Sequence, residues 1–185
     1  MKKLISDEYK KQLEEMHKNK EGFGANCKKY VGHLMDLLKS LDTHDVLDYG
    51  CGKGMLQQNM PFLIKQYDPA IKVHSLDPEP ADLLFCGDVL EHIEPDCIEN
   101  VIEHMASKTK KIALIVVSGN VAKKTLPDGR NAHLLVKDGA WWFSKISEYY
   151  TIISYTNNKI DEGYEIPLQD YLILASPKEI QNEKK

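Results

Sequence analysis

The sequence has no cysteine pair at C-x-x-C spacing. Its four cysteines, Cys27, Cys51, Cys86 and Cys97, are scattered, so neither a zinc ribbon nor a thioredoxin-type motif is supported. Cys51 and Cys86 fall in apolar, strand-like surroundings, which predicts reduced, partly buried thiols in a cytoplasmic protein. No apolar run approaches membrane-spanning length. The start, Met1-Lys2-Lys3-Leu4-Ile5-Ser6-Asp7-Glu8, turns acidic too early for a signal peptide. There is no internal repeat and no excess of positive charge. The formal net charge of −4 argues against a broad, non-specific grip on nucleic-acid phosphates. What is present is an ordinary globular mixture, 42% hydrophobic and 28% charged over 185 residues. That length suits one core, which can fold without disulfides or a structural metal.

Residues 6–20 are charged, with Tyr9, Leu13 and Met16 at helical spacing, and predict an amphipathic first helix. A loop, Glu21-Gly22-Phe23-Gly24-Ala25-Asn26, leads to a second predicted helix over about Cys27–Ser40. Its inward positions are Val31, Leu34, Met35, Leu37 and Leu38. The pattern then changes to short apolar runs. Asp45–Tyr49, Ala81–Cys86 and Ile112–Val117 read as strands, and a helical stretch over about 95–107 separates the last two. Continuously apolar strands alternating with a helix imply an α/β fold, with a mostly parallel sheet covered on both faces. A helix around Ala140–Tyr149 carries Trp141 and Trp142, which are read as core and support residues. Two final strands, Tyr150–Thr156 and Leu168–Ala175, are joined through Asn157-Asn158 and Asp161-Glu162-Gly163, which predicts an antiparallel hairpin. The expected division is a helical cap at 1–44, a main domain at 45–177 and a polar tail at 178–185.

The strongest local signal is Val46-Leu47-Asp48-Tyr49-Gly50-Cys51-Gly52-Lys53-Gly54. Glycines at alternate positions after a strand let the backbone turn sharply and approach a ligand closely. A dinucleotide-binding loop would read G-x-G-x-x-G. Here the spacing is G-x-G-x-G, preceded by an acid. This resembles motif I of the class I S-adenosylmethionine (SAM)-dependent methyltransferases, in a small bacterial or phage-type form. The resemblance spans roughly 45–175 and implies a Rossmann-like sheet. It implies cofactor-binding roles for Asp48, Gly50, Gly52 and Gly54. The glycines would pass against the methionine part of the cofactor, and Asp48 would organise the loop near the amino group. The family also ends its second strand with an acid that accepts hydrogen bonds from the ribose hydroxyls, as a carboxylate can. Asp68, closing Phe62–Asp68, and Asp77, closing Ile71–Asp77, are both candidates, and Asp68 is preferred. Only 13 residues separate Asp68 from Asp82, too few for the usual helix–strand–helix. The sheet is therefore expected to be abridged after its second strand.

After the 81–86 strand comes Cys86-Gly87-Asp88-Val89-Leu90-Glu91-His92-Ile93. One reading is local: Asp88 caps a helix, Glu91 completes a capping box, and His92 packs in the core. The other is chemical. The string resembles the ubiquinone-pathway O-methyltransferases and the small-RNA 3′-terminal 2′-O-methyltransferases, although Asp88 replaces their usual glutamate. That resemblance implies Asp88 as a further cofactor contact. It also implies a divalent-metal set of Asp88, Glu91, His92 and the later His133. Two carboxylates suit Mg²⁺ or Mn²⁺, and two histidines shift preference toward Mn²⁺, Fe²⁺ or Zn²⁺.

His133 sits in a polar loop, 119–134, with Lys123, Lys124, Asp128, Arg130 and Asn131, just beyond the carboxyl end of a strand. Ligands in open α/β sheets bind at that edge. A long loop without secondary structure is more often functional than idle. His133 is thus also a candidate general base, and Glu91, His92 and His133 form the proposed catalytic set. The reading is a SAM-dependent methyltransferase, O-directed, acting on a small molecule or a chain end. Its alternatives are a metal-dependent RNA 3′-terminal 2′-O-methyltransferase, a catalytically silent SAM-binding module, or another nucleotide-binding α/β enzyme. A small-molecule partner is expected, nucleic acid is not favoured, no membrane is involved, and the oligomeric state is open. The family resemblance also implies that the 21–26 loop closes over the cofactor.

Overall fold

The computed structural model describes residues 2–19, 25–160 and 168–178. Most of the 21–26 loop expected to close over the cofactor, the Asp161-Glu162-Gly163 connection and most of the tail lie outside the described residues. Helices α1 (Asp7–Asn19) and α2 (Val31–Leu41) precede the sheet. Ser6 Oγ accepts from the Tyr9 amide (3.0 Å), one of the first amides of α1 that lacks a partner within the helix. The second helix starts later than its apolar pattern predicts, because Ala25–Tyr30 forms a 3₁₀ segment ahead of it.

Six strands follow: β1 (Val46–Tyr49), β2 (Lys65–Tyr67), β3 (Ala81–Gly87), β4 (Thr109–Ser118), β5 (Tyr150–Ile160) and β6 (Leu168–Pro177). Helix α3 (Ile98–Ser107) leads into β4, and α4 (Gly139–Ser147) leads into β5. The strand order is β2-β1-β3-β4-β6-β5. Pairings among β1 to β4 are parallel; β6 runs antiparallel to both β4 and β5. The abridgement is real: among the described residues no strand lies between β2 and β3. The run Ile71–Asp77, the alternative candidate for the second strand, is only a 3₁₀ turn at Lys72–His74. Pro69, Pro78 and Pro80 flank it and have no amide to donate to a ladder. Phe62–Asp68 likewise shortens to the three residues that pair with β1.

The continuous apolar runs reflect a sheet buried on both faces. Leu83, Phe85, Leu114 and Val116 point to the side of α2, where Leu34 and Leu38 meet them. Leu84, Cys86, Ala113, Ile115 and Val117 point to the side of α3 and α4, against Ile102, Met105 and Trp142. This alternation is the period-two pleat of each strand. Asp138 caps α4 by accepting from the Trp141 amide (2.8 Å). Trp142 is fully buried, and Trp141 stacks edge-on against it, as expected for core and support. Among the described residues, no helix is long and apolar enough to cross a membrane.

Candidate functional site

The chain leaves β1 at Asp48-Tyr49 and turns at Gly50, whose φ of +81° lies in the left-handed region. The turn is pinned from β2. Tyr67 O accepts from the amides of Gly50 (2.7 Å) and Cys51 (3.1 Å). Asp68 holds it from the other side: Oδ2 accepts from the Gly52 amide (3.0 Å) and Oδ1 from the Ala70 amide (2.9 Å). A Cβ at Gly50 would stand 2.5 Å from Val89 Cγ2, so the turn also packs under the segment that follows β3. Gly54 closes the turn through its amide to Cys51 O (2.9 Å) and does not line the cavity.

Above this turn, at the carboxyl ends of the parallel strands, lies a cavity of about 450 Å³. Asp48, Gly50, Gly52, Asp68, Asp88, Glu91, His92 and His133 all line it. Helix α1 runs across it as a strap. Tyr9 Oη donates to His92 O (2.7 Å), the Ser6 amide to Glu94 Oε2 (2.7 Å), and Gln12 Nε2 to Asp128 Oδ2 (2.9 Å). Tyr9 and Met16 bury their side chains against Leu126 and Ala132 of the 119–134 loop. That loop is more ordered than its composition suggests. Thr125 and Asn131 form an antiparallel bridge around an Asp128-Gly129 turn, with Gly129 at φ +87°. Asn131 braces it by accepting from the amides of Ala122 (3.0 Å) and His133 (2.9 Å).

The capping-box reading of Asp88 and Glu91 is overturned. Leu90–His92 is a 3₁₀ turn with no side-chain cap, and Asp88 itself sits at φ +57°. Glu91 turns inward instead, because the end of β4 offers it a donor: Oε1 accepts from the Ser118 amide (3.1 Å). Its other oxygen, Oε2, is buried with no hydrogen-bond partner among the described residues, an uncommon and costly arrangement. Facing Glu91 are two histidines, each oriented through Nδ1: His92 donates to Ala132 O (2.8 Å) and His133 to Asn120 O. Those bonds fix tautomers with the lone pair on Nε2. One ligand atom from each of Glu91, His92 and His133 lies within 4.8 Å of the others. Asp88 stands outside this group of three.

Burial dominates the electrostatics. It pushes Asp48 up to about 7, helped by the neighbouring Asp68 charge. Burial also raises Asp88, against the opposing pull of Lys29, and raises Glu91 well above the carboxylate range, with Asp88 adding to the effect. It lowers His92 to about 4, so that ring is neutral at physiological pH.

Of the sites expected from sequence, Asp77 lies elsewhere. It pairs with His104 Nε2 (2.8 Å) and Lys108 Nζ (2.7 Å) on the surface of α3, away from the cavity. Sequence reasoning missed Tyr30, Asp170 and His17 as lining residues. Only His17 carried a signal, falling four residues after Leu13 on the apolar stripe of α1. The two aspartates predict opposite outcomes. Asp68→Asn places an amide where two backbone donors converge, and should cost about 1–3 kcal/mol of stability. Asp77→Asn breaks only exposed ion pairs and should cost no more than about 1 kcal/mol. Thermal unfolding of both variants checks the ranking; an equal loss would contradict it.

No protein-family model matches the chain, and no curated protein sequence is similar to it. Solved structures do match. The N-methyltransferase NodS from Bradyrhizobium japonicum WM9, in complex with S-adenosylhomocysteine (SAH), superposes with a TM-score of 0.59 at 15% identity. That match covers 94% of this chain and 100% of NodS. Burkholderia thailandensis 1,6-didemethyltoxoflavin-N1-methyltransferase, with its substrate and SAH bound, gives a TM-score of 0.63 at 15% identity, over 92% and 89% of the two chains. TehB from Haemophilus influenzae gives 0.53 at 15% identity, over 80% of this chain but only 62% of TehB. The chain therefore has the Rossmann-like fold of the class I SAM-dependent methyltransferases, in the abridged form described above.

Proposed function

We propose that this chain is a cytoplasmic SAM-dependent methyltransferase that methylates a hydroxyl group of a small molecule or a chain end. The observation that carries the reading is the glycine turn, clamped by Tyr67 O and Asp68 and opening onto the same cavity as Glu91, His92 and His133. In this reading residues 45–177 are the methyltransferase domain, 1–44 its helical cap and 178–185 a tail. Asp48, Gly50, Gly52, Asp68 and Asp88 hold the donor, and Gly54 shapes the turn that presents it. The fit is supported by the cavity that Asp48, Gly50, Gly52 and Asp68 line together. When bound, SAM supplies an electrophilic methyl group on a sulfonium centre.

The protein's share is to position the acceptor and move its proton. His133 presents the Nε2 lone pair of a fixed tautomer and is assigned as the general base. His92 is too weakly basic for that role, with its proton lost above about 4. It serves as a neutral hydrogen-bond acceptor or ligand. Glu91 accepts from the Ser118 amide through one oxygen, and one of its two oxygens lies within 4.8 Å of a ring nitrogen of each histidine. In a second reading, Glu91, His92 and His133, each with a ligand atom within 4.8 Å of the others, would hold a divalent ion, and His133 would then be a ligand rather than the base. Such an ion would lower the pKa of the acceptor hydroxyl.

Calorimetry with SAH tests the donor assignment, and its pH dependence is a sharper check. A free ammonium group on the ligand meets Asp48 favourably only when that carboxyl is ionised. With Asp48 titrating near 7, affinity should rise with pH up to about that value and then level off. Between pH 5.5 and 8.5 the expected gain is on the order of tenfold, and Asp48→Asn should flatten it. Absence of SAH binding at every pH would remove the reading. Methyl transfer from tritiated SAM to a panel of hydroxylated acceptors, with Mn²⁺ and with chelator, tests the acceptor and metal assignments.

A further inference from the structure

We propose that His17 of helix α1 is a donor-binding residue, an inference that rests on the donor cavity proposed above. Helix α1 buries an otherwise apolar stripe: Tyr9 and Met16 meet Leu126 and Ala132. His17 lies on the same side but reaches past that contact to the glycine turn. Its Cε1 is 3.4 Å from the position a Cβ at Gly52 would occupy. It is 8% exposed, against 3% for Met16, and lines the main cavity together with Gly52 and Asp68. It also lines a second cavity of about 380 Å³, formed with Lys53, Ala70 and Ile71. The imidazole thus stands at the partition between the two spaces, beside the carboxylate assigned to the sugar hydroxyls.

Burial opposes the charge on this ring and outweighs the pull of the Asp68 carboxylate, which favours the neutral imidazole. A neutral imidazole beside Asp68 offers a hydrogen-bonding group to a nucleoside lying over the turn. A leucine at the same place would not. The placement also gives α1 a direct part in the site, so that docking of the strap and occupancy of the cavity support one another.

The test is calorimetric titration of SAH into the wild type and the variants His17→Leu, His17→Gln and Gln12→Ala. His17→Leu keeps the bulk of the side chain and should weaken SAH about tenfold, the scale of one lost hydrogen bond. His17→Gln, which keeps hydrogen-bonding capacity, should recover most of that loss. Gln12→Ala severs the tether of α1 to Asp128 without touching the cavity, and should bind within about twofold of the wild type. With methyl transfer as the readout, His17→Leu should raise KM for SAM while leaving kcat at saturation nearly unchanged. Wild-type affinity in His17→Leu overturns the inference and leaves the donor reading standing. A loss in Gln12→Ala equal to that in His17→Leu also overturns it, since helix docking would then account for both. Failure of the wild type to bind SAH removes the inference and the reading together.

Discussion

Replacing Gly50 by alanine should abolish SAH binding, with a loss of at least about a hundredfold, and should destabilise the fold as well. Two costs add at this position. A non-glycine residue at φ +81° pays about 1–2 kcal/mol for the left-handed conformation. The new methyl would also stand 2.5 Å and 2.7 Å from the two Val89 methyls, and overpacking of this kind costs about 1–3 kcal/mol. The turn must shift to relieve the contact. Its amides to Tyr67 O and its alignment with Asp68 would shift with it. Gly52→Ala offers an internal comparison. Its φ of +52° is also left-handed, but its nearest foreign atom is His17 Cε1 at 3.4 Å. Gly52→Ala should therefore be the milder of the two. The double variant Gly50→Ala with Val89→Ala removes the collision and keeps the strain, so it should recover part of the stability. Calorimetry and thermal unfolding read both effects. If Gly50→Ala binds SAH like the wild type, the turn is not the donor site.

Glu91→Gln is expected to separate chemistry from folding. A glutamine still accepts from the Ser118 amide, so the turn after β3 should be kept. Turnover should fall at least about a hundredfold, the scale of a lost acid–base or ligand group, while SAH affinity stays within about threefold of the wild type. Stability should move the other way. Burial raises the Glu91 pKa well above its unfolded value, so the folded state holds the proton to higher pH than the unfolded state does. Stability from such a group is present at low pH and lost as pH rises above the unfolded value of 4.5 through the folded pKa. The wild type should lose stability relative to Glu91→Gln over that range. Thermal unfolding at pH 4.5 and pH 8 checks the sign. A variant with wild-type turnover would end the assignment of Glu91 to the acceptor side. If Mn²⁺ binds the wild type, Glu91→Gln should weaken it by tenfold or more. His133→Ala provides the companion test of the metal set.

The sheet was legible because its signal is local. Leu83–Cys86 and Ile112–Val117 are apolar at every position, and only a strand covered on both faces requires that. The glycine turn was legible for a similar reason: its spacing is the conformational requirement written directly into sequence. Ile71–Asp77, the less favoured candidate for the second strand, fails because an apolar stretch becomes a strand only if a neighbour pairs with it. At this edge of the sheet the prolines remove donors, and Val73 and Leu76 are left exposed. Glu91 misled differently. The Asp-x-x-Glu spacing fits a capping box, but the Ser118 amide, 27 residues away in the chain, captures the carboxylate instead.

The sequence by itself determined the α/β class, the bend after β1 and the types of side chain available for chemistry, because each depends on neighbours within a few residues. Tertiary structure showed that Asp68, the candidate preferred from sequence, braces the turn while Asp77 does not, and it alone decided that Glu91, His92 and His133 converge without Asp88. It alone brought His17 from the first helix to the glycine turn. Those contacts join residues far apart in the chain, and it is the burial of apolar faces around the sheet, rather than any local preference, that brings them together.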